Sequence, residues 1–95
     1  MSMITQPVRY SQVTASGVIN GRPGELYGII AVASTTAIVQ VWDNATAGSG
    51  NLLYASVAAL TAGQVVTFNG LGIQASAGLY FTLVSGTGTF NILYV

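Results

Sequence analysis

The sequence LYGIIAVASTTAIVQVW, residues 26–42, carries no formal charge and could form either a membrane-spanning helix or buried strands. Its length is at the short limit for a membrane-spanning helix. Polar residues interrupt it at 34–36 and at Gln40, however, and its many Ile and Val residues are typical of strands joined by a polar turn. We therefore interpret 26–33 and 37–42 as two buried partner strands connected at 34–36, and we expect no membrane span.

In the rest of the chain, turn-forming residues recur at short intervals. Pairs such as Asn20-Gly21 and Asn69-Gly70 tolerate positive φ and predict turns. The loop 43–50 and the segment 85–88 also predict turns. The last two strands each place apolar side chains on one face: Leu79, Phe81 and Leu83, then Phe90, Ile92 and Tyr94.

Turns every eight to twelve residues or so favour an all-β fold over a helical one. We predict a single-domain β-sandwich or jelly roll of about seven to eight antiparallel strands. The domain spans residues 8–95. Residues 1–7 precede it, either as an extended N-terminal arm or as a frayed terminus.

The chain has only four charged side chains: Arg9, Arg22, Glu25 and Asp43. It has no His, Lys or Cys, so a Ser or Thr nucleophile has no partner base, and the usual zinc, copper and iron–sulfur ligands are missing. Two Arg cannot supply the phosphate contacts of a nucleic-acid-binding protein. We predict that the protein is not an enzyme, binds no metal or cofactor, and has no nucleic acid partner.

Charge is also scarce relative to the surface that must be covered. The chain is 4% charged and its net charge is zero, whereas an ordinary domain is about a quarter charged. A neutral particle has little repulsion to prevent self-association. We therefore expect an obligate assembly, most simply a homo-oligomer.

The first candidate site is an interface at the N-terminal end of the chain. This segment mixes polar and apolar residues around one proline, a pattern that suits a strand added to a neighbour's sheet. The candidate interface residues are Ile4, Pro7, Val8, Arg9 and Tyr10.

The second candidate site is a glycan platform formed by Trp42, Asp43 and Asn44. An exposed aromatic ring flanked by polar groups can stack on a sugar and bond its hydroxyls. The alternative, which we favour, is that Trp42 and the Tyr rings pack in the core with their polar tips at its edge. Asp43 also opens a loop, where its side chain can bond backbone N–H groups.

The strand pattern resembles that of small all-β virion proteins of tailed bacteriophages. The segments that carry the resemblance are GELYGIIAV (24–32), AIVQVWDN (37–44), AGSG (47–50), FNGL (68–71) and GLYFT (78–82), within residues 16–95. The resemblance implies a capsid decoration (cement) protein, often a trimer, that sits on the capsid surface and ties subunits of the major capsid protein together. Such a protein is made in the host cytoplasm, and the resemblance supplies no catalytic residues. The alternatives are a tail or connector component of the virion, or a glycan-binding β-sandwich.

Overall fold

The computed structural model describes residues 8–95, which form one antiparallel sheet. In chain order, the strands are β1 (Arg9–Val13), β2 (Gly17–Asn20), β3 (Gly24–Asp43), β4 (Asn51–Ala55), β5 (Val65–Thr67), β6 (Ile73–Ala75) and β7 (Leu79–Tyr94). The prediction of an all-β fold with seven to eight antiparallel strands is confirmed. No helix within residues 8–95 has the length and apolar character needed to cross a membrane.

Two long strands form the spine of the molecule. β3 has 20 residues and β7 has 16. They pair with each other from Leu26 opposite Tyr94 at one end to Asp43 opposite Leu79 at the other. The short strands line the outer edges of this ribbon, with β1 and β2 along β7, and β4, β5 and β6 along β3.

The prediction that 26–33 and 37–42 pair with each other is wrong. Both segments belong to β3, and both pair with β7. The predicted turn at 85–88 likewise lies inside β7. Polar residues and glycines at these two places mark a bend in a continuous ribbon, and their composition alone does not distinguish a bend from a chain reversal.

The bend is a corner where both long strands turn together. Thr36 on β3 and Gly86 on β7 adopt positive φ, at 51° and 76°. The pairing register shifts on either side of Ile38, which indicates β-bulges. A Cβ at position 86 would lie 2.6 Å from the Thr35 carbonyl oxygen, so the two backbones approach too closely for any residue but glycine.

At this corner the ribbon folds over itself into two layers. Phe81 and Phe90 are nine positions apart on β7, which is about 30 Å along an extended strand. Their ring centroids are nevertheless 5.5 Å apart. Layer 1 contains β1, β5, β6, the first half of β3 and the second half of β7. Layer 2 contains β2, β4 and the remaining halves of β3 and β7. The arrangement is of the β-sandwich type.

The hydrophobic core lies between the two layers. Its fully buried members include Leu26, Ile29, Ala31, Phe90 and Ile92 from layer 1, and Val39, Val41, Leu79 and Phe81 from layer 2. Leu83 and Tyr94 pack against this core while partly buried, so the two predicted apolar faces of β7 are confirmed.

Candidate functional site

The side of layer 1 that points away from the core carries ten neighbouring residues without a formal charge, spread over four strands. We call it the outer face. It consists of Tyr10 and Gln12 on β1, Thr89, Asn91 and Leu93 on β7, Gly28, Ile30 and Val32 on β3, and Val65 and Thr67 on β5. These residues alternate with the buried ones, as the two-residue period of a strand requires.

Contacts between neighbouring strands confirm that these side chains share one side. Gln12 Nε2 donates to Asn91 Oδ1 at 3.1 Å, which joins β1 to β7. A Cβ added at Gly28 would lie 3.6 Å from Leu93 Cδ1, so Leu93 covers the gap that this glycine leaves on β3. The outer face is therefore a continuous surface across four strands.

The chemistry of the outer face is apolar and amide-like. Tyr10 is 67% exposed, Val65 56% and Val32 49%. None of the ten residues carries a formal charge. Glu25 points to the same side of β3, beyond one end of the face, because the neighbouring Leu26 is buried in the core. Its Oε2 accepts a hydrogen bond from the Tyr27 hydroxyl at 2.6 Å, and this bond raises the pKa of Tyr27. A surface of this kind binds by shape, apolar burial and neutral hydrogen bonds.

The predicted N-terminal interface lies only partly within the described residues. Ile4 and Pro7 fall outside them. Arg9 and Tyr10 pair with Tyr94 and Leu93 in the chain's own sheet, and Val8, just before β1, is 41% exposed. Residues 9 and 10 are thus part of the domain. The prediction of an extended N-terminal arm concerns residues 1–7, which lie outside the described residues.

Trp42 lies on the side of layer 2 that points away from the core, half-buried between Tyr80 on β7 and Leu52 on β4. The loop 44–50 folds over it: a Cβ at Gly48 would lie 2.5 Å from Thr82 Oγ1 and 3.6 Å from Trp42 Nε1. Trp42 Nε1 and Thr82 Oγ1 are buried without a hydrogen-bond partner among the described residues. The indole is therefore covered by its own chain, although not in the core between the layers.

Asp43, at the end of β3, holds a distant turn in place. Its Oδ1 accepts the backbone N–H of Ala77 at 2.8 Å and that of Gly78 at 3.4 Å, and its Oδ2 accepts the N–H of Ser76 at 3.0 Å. These hydrogen bonds, that from Ala77 first, lower the pKa of Asp43 because they stabilise the charged form. The carboxylate thus bonds backbone N–H groups as predicted, but those of residues 76–78 and not those of the loop that Asp43 opens.

Asn44 performs a similar role within the loop that covers Trp42. Its Oδ1 accepts the backbone N–H groups of Thr46 and Ala47 at 2.8 and 2.9 Å, and its Nδ2 donates to the Ser49 carbonyl at 3.1 Å. The hydrogen-bonding groups of Asp43 and Asn44 are thus used to fold the chain. The glycan platform stays a prediction that this geometry does not favour, and a glycan array checks it.

Sequence reasoning missed the outer face. The segment containing Ile30 and Val32 reads as continuously apolar, which predicts a strand buried on both sides. Only the pairing register with β5 and β7 shows that Ile29 and Ala31 point inward while Ile30 points outward. Val32 lies at the register shift between 31 and 33, and its exposure of 49% places it on the outer side.

Residues 8–95 contain no group of three or more His, Cys, Asp or Glu side chains that could hold a metal ion. In comparisons with known proteins, no family model, no curated protein and no solved structure matches the chain.

Proposed function

We propose that the chain is a structural virion protein of a tailed bacteriophage, a capsid decoration (cement) protein. In this role it is made in the host cytoplasm, binds the capsid surface and stabilises contacts between subunits of the major capsid protein. The observation that supports the proposal is the outer face, a group of ten residues without a formal charge, some of them large and exposed, on a chain almost without charges.

The physics of such a surface suits a cement protein. Apolar area removed from water contributes about 25 cal/mol per Å², less the cost of association. Gln12, Asn91 and Thr67 supply neutral hydrogen-bonding groups that fix orientation without the desolvation cost of ions. Many copies on one shell add avidity without any new contact.

The proposed partners are the major capsid protein, or another virion protein, together with further copies of this chain. The resemblance of the sequence to phage virion proteins implies a trimer. A tail or connector component is the alternative position within the particle. Mass spectrometry of purified particles separates the two, since a shell protein is present in on the order of hundreds of copies, and a neck or tail ring in roughly six to twelve.

A single substitution on the outer face tests the proposal. Val65→Arg places a cation within the proposed contact, on the β5 side of the outer face, where burial without a partner is unfavourable. We expect particle binding, measured by co-sedimentation with particles assembled without the chain, to weaken about 100-fold, which corresponds to roughly 2.7 kcal/mol. Thermal unfolding should be nearly unchanged, because this side chain is already 56% exposed.

Val57→Arg is the matched control. It makes the same change at a valine that is 100% exposed outside the strands, so binding should match that of the unmodified chain. Equal binding by both variants, or no binding of the unmodified chain to any particle, contradicts the proposal.

A further inference from the structure

Within residues 8–95, no strand pairs with the outward edge of β1, and the hydrogen bonds of β7 locate that edge. Val95 and Glu25 exchange both backbone hydrogen bonds, at 2.9 and 3.0 Å, so the peptide groups of Val95 face β3. Successive residues of a strand direct these groups to opposite neighbours. Tyr94, Ile92 and Phe90 therefore face β1.

The partners of these three residues on β1 are Arg9, Ser11 and Val13, whose N–H and C=O groups accordingly bond to β7. The N–H and C=O groups of Tyr10 and Gln12 must then point away from the sheet.

An independent set of bonds on the other side of β3 agrees with this assignment. Ala31 N–H donates to Gln64 O, and Gly63 N–H donates to Ala31 O, so the peptide groups of Ala31 face away from β7. Ile30 then faces β7, where its partner is Asn91. An odd-numbered residue of β7 again faces β3, as the bond to Val95 requires.

β1 is also the most regular edge of the sheet. Its five residues pair with β7 without a register shift, whereas the pairings of β2 and β4 are both shifted. β5 and β6 have three residues each. Proteins protect exposed edges with bulges, prolines, charges or short strands, and β1 has none of these except the charge of Arg9. Among the described residues it is the edge best able to accept another strand along its whole length.

We propose that β1 pairs antiparallel with β1 of a second copy of this chain, around a two-fold axis at Ser11. In this register Tyr10 lies opposite Gln12 of the second copy, and the two symmetric pairs form four backbone hydrogen bonds. Arg9 lies opposite Val13 of the second copy, so the strand's one charge does not face its own image.

The β1 edge favours a two-fold symmetric dimer over a cyclic trimer. A trimer built by strand pairing needs two different edges that fit each other, because each copy uses one edge to receive and another to donate. Within residues 8–95 no second edge matches β1 in length and regularity. The inferred dimer thus differs from the trimer that the sequence resemblance implies.

Pairing through β1 also joins two outer faces. Tyr10 and Gln12 lie at the edge of each face, so the dimer presents one uncharged surface that crosses both sheets. The dimer goes beyond the proposed function and does not rest on it, since it forms without any particle and is measured in solution.

The test compares Gln12→Pro with Gln12→Ala in the full chain, using light scattering and sedimentation. Proline removes the outward N–H of residue 12 but no hydrogen bond to β7, and prolines are tolerated at such edge positions. Alanine keeps the N–H and removes the same side-chain bond to Asn91. We expect the dissociation constant to rise about 100-fold for the proline variant, because two symmetric donors are lost, and less than about threefold for the alanine variant.

Amide hydrogen exchange of the unmodified chain provides a readout that needs no folded variant. The amides of Tyr10 and Gln12 should gain protection as concentration rises, while those of Ser11 and Val13 are protected throughout. A chain that is monomeric or trimeric, a folded proline variant that still dimerises, or unprotected Tyr10 and Gln12 amides in the dimer would each overturn the inference.

Discussion

At the scale of single residues, the carboxylate of Asp43 joins two parts of the chain that are 33 positions apart. Its acceptance of backbone N–H groups was predictable, because Asp commonly does this where it opens a loop. Its partner was not predictable, since residues 76–78 reach Asp43 only after the ribbon has folded. Trp42 differs in this respect, because the loop 44–50 that covers it is adjacent in sequence and is held by local hydrogen bonds to Asn44.

Replacing Asp43 should therefore cost stability in a pH-dependent way. Asp43→Asn removes the charge that strengthens these hydrogen bonds, and we expect a loss of about 1 kcal/mol at pH 7, modest because solvent screens the site. The folded pKa is lowered, so the contribution is complete above the ordinary value of 3.8 and is lost as pH falls through the folded pKa.

Urea unfolding at pH 7 and pH 3 checks this sign. The gap between the unmodified chain and Asp43→Asn should narrow at the lower pH. Glu25→Gln serves as the control carboxylate, because Glu25 accepts a side-chain hydrogen bond from Tyr27 rather than several backbone ones. An equal gap at both pH values would show that the charge of Asp43 does not contribute as described.

At the scale of elements, β3 and β7 show which features of the fold the sequence predicts and which it does not. The strand character of β3 and β7 and the inward faces of β7 follow from β-branched residues and period-two alternation. The corner does not, because Ser-Thr-Thr and Ser-Gly-Thr-Gly segments are equally suited to a turn between strands and to a bend within one. Only the observation that both halves of β3 pair with β7 shows that these segments form a bend within each strand.

Gly86→Ala tests the corner. Positive φ at 76° disfavours any side chain, and the added Cβ would press on the carbonyl groups of Thr35 and Thr36. We expect a loss of about 2–4 kcal/mol in the free energy of unfolding, measured in urea, from strain and displacement of the facing strand.

Gly21→Ala is the matched control at a turn. A Cβ at position 21 meets no atom within 4 Å, and the backbone there does not require positive φ. Its stability should change by less than about 0.5 kcal/mol. A similar tolerance at position 86 would mean that the two long strands do not bend together there.

At the scale of the whole molecule, composition predicts a protein made for contact, but composition does not locate the contact. Four charges in 95 residues leave the surface to neutral groups. Which of these groups lie together depends on the register of β1, β3, β5 and β7, and so the outer face and the free edge of β1 emerge only from the fold. Both features place uncharged groups where a companion can cover them.

Sedimentation equilibrium of the full chain at neutral pH shows whether this chain associates through uncharged contacts. At about 0.02 M and about 0.5 M NaCl, we predict dimerisation with dissociation constants that agree within about threefold, because screening has no ion pair to weaken. A monomer at high concentration in both buffers, or an assembly that salt dissociates, would contradict the account.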